Sequence, residues 1–179
     1  MTAGEPQSAN DYDDRTTAAV KSVLIEIGQI LGSYKGRYAV VGGAVPWLLL
    51  NQNDMRHVGT LDVDLSLDAA ALGGGEYAHL IESLKSHGYE QRESLRRFQL
   101  VRQIDARDGG PLIDVIVDFL RPRDAVTAKN DPPLVDNFAV QRASGAELAL
   151  RFCEFIPISG AMPNGGTNRV EVAVCSIPA

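Results

Sequence analysis

Asp62 and Asp64 stand two residues apart in TLDVDLSLD, residues 60 to 68. In a strand, side chains alternate faces with a period of two. The spacing therefore puts both carboxylates on one face and turns Leu61, Val63 and Leu65 into a core. Two neighbouring carboxylates repel each other unless positive charge stands between them. All-oxygen donors of this kind suit a hard divalent cation, Mg²⁺ or Mn²⁺. Upstream lies GRYAVVGGAVPWLLL, residues 36 to 50. It reads as a buried strand, Tyr38 to Val41, then the pair Gly42-Gly43, then a helix. A glycine turn that opens a helix offers backbone N–H groups and a positive helix end, which suits phosphate. A phosphate cradle beside paired carboxylates is the chemistry of a nucleotide site.

Several elements must hold these residues in place. Residues 1 to 12 are polar and read as a disordered N-terminus. Asp13 or Asp14 can cap a first helix running to about Ser33, with Val20, Val23, Leu24, Ile27, Ile30 and Leu31 on one apolar face. After the strand and glycine pair, Pro46 sits early in the next helix, where its missing N–H does little harm, and Trp47 is a core residue. The polar loop NQNDMRHVG leads into the aspartate strand. Gly73, Gly74 and Gly75 mark a loop, and a helix follows from Glu76 to about His87, stopped by Gly88. Phe98 to Asp105 and Leu112 to Leu120 read as strands joined by a hairpin at Asp108-Gly109-Gly110. Arg121 to Val135 reads as loop. Glu147 to Ile158 reads as strand, or as a short helix passing into strand. Val170 to Ile177 alternates like a strand, and GAMPNGG makes a terminal hairpin. Helix, strand, helix, strand, helix and then strands predicts an α+β fold: a mixed sheet with helices mainly on one face, residues 13 to 179 forming one domain. The final apolar strand presents an exposed edge, so either a partner covers it, a second copy included, or the chain is a fragment.

Bulk properties narrow the classes. The 179 residues suit one domain with a real core. A net charge of −6 argues against a generally basic nucleic-acid coat, so any nucleic-acid contact needs a local basic patch. No apolar run approaches the ~20 residues that span a membrane, and the polar N-terminus carries no signal region. The only two cysteines, Cys153 and Cys175, lack companion histidines at ligand spacing. They read as buried free thiols or as neighbours across the last hairpin, without assigned chemistry, in a reducing cytoplasm. His57, His79 and His87 show no ligand spacing either.

The apolar strand, Gly42-Gly43, the helix and then Thr60-Leu61-Asp62-Val63-Asp64 resemble the nucleotidyltransferase superfamily, the fold shared with DNA polymerase beta. The Thr-x-Asp-x-Asp form looks most like the AbiEii-type toxin branch and related small bacterial nucleotidyltransferases. The resemblance covers roughly residues 20 to 124. It implies a third carboxylate on the strand Leu112 to Leu120, where Asp114 and Asp118 share a face. Parity does not choose between them; Asp118 is favoured because VDFLRP places it shortly before the strand ends, as in the polymerase pattern. The implied activity moves a nucleoside monophosphate from an NTP to an acceptor: an RNA end such as tRNA, a protein side chain or a small molecule. Two Mg²⁺ or Mn²⁺ ions would be held by Asp62, Asp64 and Asp118. Gly42 and Gly43 would let backbone approach the phosphates, Thr60 would orient the aspartate strand, and Arg97 would help neutralise the triphosphate. Arg96, Arg102, Arg121 and Arg123 are further candidates for that task. Membership of the toxin branch would imply an antitoxin partner.

Two other classes stand beside this one. After Val135 no helical half of the kind those enzymes carry is readable, so the chain could be a non-catalytic nucleotide-binding or interaction module on the same fold. A plain structural subunit would use its aspartates only as a solvated strand face.

Overall fold

The computed structural model describes residues 12–50, 55–68, 75–106, 108–123 and 140–176. The expectations for the N-terminal tail, for 51–54, for Gly73 and Gly74, for 124–135 and for Ile177 onward fall outside these residues. The fold is α+β, a mixed sheet with helices on it. The first helix, α1 (Asp14–Ile30), starts at a reciprocal cap. Asp13 Oδ1 accepts from Thr16 N–H at 2.8 Å, and Thr16 Oγ1 accepts from Asp13 N–H at 2.9 Å. A 3₁₀ turn, Leu31–Tyr34, carries the chain on. Then come β1 (Tyr38–Val41), α2 (Val45–Leu49), β2 (Asp62–Leu67), α3 (Glu76–Ser86) and β3 (Tyr89–Glu90). They are followed by β4 (Gln99–Ile104), β5 (Ile113–Pro122), β6 (Gln141–Ala143), α4 (Ala146–Arg151), β7 (Cys153–Ala161) and β8 (Thr167–Cys175).

The strands form one sheet in the order β3-β4-β5-β2-β1-β8-β7, with β6 beside the end of β5. β2 pairs antiparallel with β1 but parallel with β5, and β8 pairs parallel with β1. The expectation of a bare final strand is therefore corrected. β8 sits inside the sheet between β1 and β7, and β7 is the edge. Arg121 and Pro122 also belong to strand β5 rather than to a loop, because β6 pairs with them. Residues 147 to 158 follow the helix-then-strand alternative, as α4 and β7.

Alternation sets the two faces. On β5, Ile113, Val115, Val117 and Phe119 are buried, while Asp114, Ile116, Asp118 and Leu120 are half-buried. The buried set faces α1, as a charged pair demonstrates. Arg102 stands opposite Val115 on β4, and its Nε lies 3.0 Å from Glu26 Oε2 of α1. Arg102 also donates to Asn164 at 2.7 Å and lies over the Tyr89 ring, so the buried charges are satisfied. Tyr77, Leu80, Ile81 and Leu84 of α3 complete the core. Gly88 has φ +91, and an added Cβ would stand 2.8 Å from Arg102 Nη1, so α3 can end there only on glycine. The opposite face carries α4, anchored where Ser66 Oγ donates to Ala146 O at 2.9 Å. Two longer helices on one face and one short helix on the other agree with helices packed mainly on one side.

Candidate functional site

Register brings the predicted carboxylates together. Asp64 on β2 stands directly opposite Asp118 on the parallel neighbour β5. Adjacent strands are ~4.8 Å apart, and Asp62 lies ~6.6 Å along β2 on the same face. Burial raises the Asp64 carboxyl first, then the Asp118 and Asp62 charges; together they push it up to about 6. Burial also raises Asp118, against the lowering effects of a Gln99 hydrogen bond and the Arg96 charge. Like charges in a half-buried place make ionisation costly. Perturbed carboxylates of this kind make the face a candidate functional site.

Asp114 does not join them. Arg92 Nη1 lies 2.6 Å from its Oδ2, and Gln103 Nε2 donates to its Oδ1 at 3.0 Å. Four residues from Asp118 along the strand is ~13 Å. Of the two candidates left open by parity, Asp118 is the one placed beside Asp64.

The glycine pair meets the carboxylates through β1, whose last residue Val41 lies opposite Asp64. Gly42 follows with φ +74, and an added Cβ would fall 2.0 Å from Asp64 Oδ2. Both the backbone conformation and the space admit only hydrogen there. At Gly43 a Cβ would stand 3.1 Å from Thr60 Cβ. Thr60 Oγ1 accepts from Asp62 N–H at 2.9 Å, which ties down the start of β2. The helix after the glycines is shorter than its apolar run predicts. Gly42–Ala44 form a 3₁₀ turn and only Val45–Leu49 are α-helical, so any phosphate attraction there comes from local amides more than from a helix dipole. Gly42 and Gly43 are both exposed.

The arginines divide. Arg96 acts on Asp118 by its charge. Its backbone N–H also donates to Gln99 Oε1 at 3.0 Å. Arg97 is exposed, and among the described residues no hydrogen bond or ion pair joins it to the carboxylates. Arg102 and Arg121 are buried on the face turned to α1, which removes them as neutralisers of the carboxylate face. Arg123 donates to Ser144 Oγ at 3.4 Å, beyond the end of β5.

Gln99 escapes the sequence reading. It stands opposite Asp118 on β4 and donates through Nε2 to Asp118 Oδ1 at 2.8 Å. Only the β4–β5 register reveals it, since nothing in FQLVRQI marks one glutamine over another. Replacing Gln99 with leucine removes a donor to the ionised carboxylate. The expected result is a further rise in the Asp118 pKa, read by ¹³C NMR titration of the side-chain carboxyls. An unmoved Asp118 titration would show that the bond is not made in solution.

Among the described residues, no group of three or more His, Cys, Asp or Glu side chains stands gathered closely enough to hold a metal ion. No described helix is long and apolar enough to cross a membrane. A cavity of about 420 Å³ lies away from the carboxylates, lined by Lys21, Trp47, Leu48, Ile156 and Ile158 among others. It shares no residue with the Asp64–Asp118 face. Comparison with known proteins finds no matching family model, no matching curated protein and no matching solved structure.

Proposed function

We propose that the chain is a divalent-metal-dependent nucleotidyltransferase acting at the face shared by Asp62, Asp64 and Asp118. The observation that carries this reading is the apposition of Asp64 to Asp118 beside a glycine that nothing larger can replace. The donor set suits a hard cation: it offers only oxygens, and burial first, then the Asp118 and Asp62 charges, leave Asp64 in a state that positive charge would relieve. Mg²⁺ or Mn²⁺ would be held first by Asp64 and Asp118, which face each other across the strands, with Asp62 drawn in from along β2, and would supply charge neutralisation for a triphosphate and acidify an acceptor hydroxyl. The chain's own groups do the rest. Gly42 and Gly43 expose bare backbone to which phosphate oxygens can come close. Thr60 holds the Asp62 amide, and Gln99 donates to Asp118, which favours its ionised form against the effect of burial. The Arg96 guanidinium adds positive charge at the same end of β5. The acceptor class is an RNA end, a protein side chain or a small molecule, and a toxin paired with an antitoxin is one setting for it.

A second reading, a nucleotide-binding module without turnover, is favoured by the absence of a gathered three-ligand group among the described residues. Two measurements separate the readings. The first is thermal melting with Mg²⁺ or Mn²⁺ and each NTP. A ligand that binds only the folded chain at a hundredfold excess over its Kd adds about 2.7 kcal/mol. The second is transfer of label from an α-labelled NTP to RNA or protein. Metal-dependent stabilisation with transfer is the expected result. Stabilisation without transfer to any acceptor would favour the module, and no response to metal or NTP would remove both.

A further inference from the structure

The two cysteines meet across the terminal hairpin, where Cys153 on β7 stands directly opposite Cys175 on β8. The next pair outward is hydrogen-bonded, with Ser176 N–H donating to Phe152 O at 2.7 Å. At the turn, Met162 N–H donates to Gly166 O at 3.0 Å, which keeps the same phase along the ladder. Hydrogen-bonded and non-hydrogen-bonded pairs alternate in an antiparallel ladder, so Cys153 and Cys175 form a non-hydrogen-bonded pair with Cα atoms ~4.5 Å apart. That separation falls inside the ~4.4–6.8 Å range of disulfides. The Cβ atoms of such pairs are ~4.5–5.5 Å apart and need ~3.5–4.5 Å, a closure of about 1 Å. Among the described residues β7 is an edge strand, paired on one side with β8, so it can supply that movement.

Both thiols are free and partly exposed. Each makes a weak sulfur contact, Cys153 Sγ to Leu150 O at 3.7 Å and Cys175 Sγ to Ser176 O at 3.5 Å. Burial first, and then the nearby Cys153 sulfur, push the Cys175 thiol up.

The pair also has a defined place relative to the carboxylates. Asp118 lies opposite Asp64, and Asp64 opposite Val41. Val40 lies beside Val174, so one residue on, Val41 lies beside Cys175. One cross-strand row on one face therefore runs Gln99, Asp118, Asp64, Val41, Cys175, Cys153. Cys175 is two strands from Asp64, or roughly 10 Å.

We propose that Cys153 and Cys175 are a redox modification site that closes reversibly into an intramolecular disulfide at the end of the carboxylate row. The oxidant class is a low-molecular-weight disulfide such as oxidised glutathione. The Cys153 thiolate attacks one of its sulfurs, the S–S bond breaks, and one small thiol leaves with the electron pair and a proton. Cys175, whose thiol is held up, then loses its proton and attacks the Cys153 sulfur of the mixed disulfide, expelling the second small thiol. Two protein thiols are oxidised and one small disulfide is reduced to two thiols. The closure needed at the Cβ atoms makes the bond readily reducible by the same class of thiol. This inference stands apart from the nucleotide reading and would survive its failure.

The test uses the full chain equilibrated in graded ratios of reduced and oxidised glutathione, then alkylated and read by intact mass and non-reducing electrophoresis. The expected result is joint loss of both thiols in a monomer free of glutathione, reversed by excess reduced glutathione. Cys153→Ser and Cys175→Ser should each accumulate at least about tenfold more glutathione adduct than the wild type, since the second thiol no longer expels it. Three wild-type outcomes would overturn the proposal: glutathione retained on either cysteine, disulfide-linked dimers, or two thiols intact across the whole range. None of these depends on how either variant folds.

Discussion

Asp64→Asn is expected to melt higher than the wild type at neutral pH without metal, and to lose the rise expected from Mg²⁺ with NTP. The folded chain holds the Asp64 carboxyl at about 6, above its ordinary 3.8, through burial, then Asp118, then Asp62. Between those two values the folded chain keeps a proton that the unfolded chain has released. The stability linked to this group is therefore fullest below the ordinary value and is lost as pH rises through about 6. The side chain is partly exposed, so the penalty at neutral pH is discounted to about 1–2 kcal/mol. Asparagine imitates the neutral acid and removes it, which in a chain of this size is roughly 3–6 °C in Tm. The same substitution removes a donor to the cation. The apparent metal affinity of the wild type should climb as pH rises through about 6, because cation and proton compete for one carboxylate. Loss of a metal ligand forfeits several kcal/mol in the transition state, about a thousandfold or more in kcat/KM. An Asp64→Asn chain that melts lower without metal and still responds to Mg²⁺ with NTP would remove Asp64 from the site.

Gly42→Ala is expected to cost about 3 kcal/mol and to abolish metal-dependent nucleotide binding. Two separate effects add. An alanine at φ +74 carries the left-handed penalty, ~1–2 kcal/mol. Its methyl group would also overlap Asp64 Oδ2, 2.0 Å away, so the carboxylate must leave its place. Gly36 supplies the control. It has φ +82 with nothing within 4 Å of an added Cβ, so Gly36→Ala should carry the backbone penalty alone, roughly 1–2 kcal/mol. Placing Gly42→Ala in an Asp64→Ala background removes the overlap, and the cycle should return a coupling of about 1–2 kcal/mol. Urea denaturation of the four chains measures it. Equal costs at Gly42 and Gly36, with no coupling to Asp64, would mean that the turn and the carboxylate do not touch.

The elements were largely legible in the chain because each follows from a local rule. An aspartate at 13 or 14 opens α1, Gly88 ends α3, and the alternation of Leu61, Val63 and Leu65 with Asp62 and Asp64 marks β2. These depend on residues a few positions apart, and the same physics acts on any chain that carries them. Partners distant in sequence were not legible. The choice of Asp118 over Asp114 depends on the parallel register of β5 against β2, and both aspartates have the same parity. Gln99 meets Asp118 because β4 pairs antiparallel with β5, and Arg102 leaves the carboxylate face because it stands opposite Val115. The last strand looked like an edge because no local feature shows that β8 returns to lie beside β1. By itself, then, the sequence determined the α+β class, most of the elements, and the pairing of Asp62 with Asp64 on one face. Only the tertiary structure decided which third carboxylate joins them, what holds it, why Gly42 has no substitute, and that the two thiols face each other. Those contacts join residues far apart along the chain, and strand order and register alone bring them within reach.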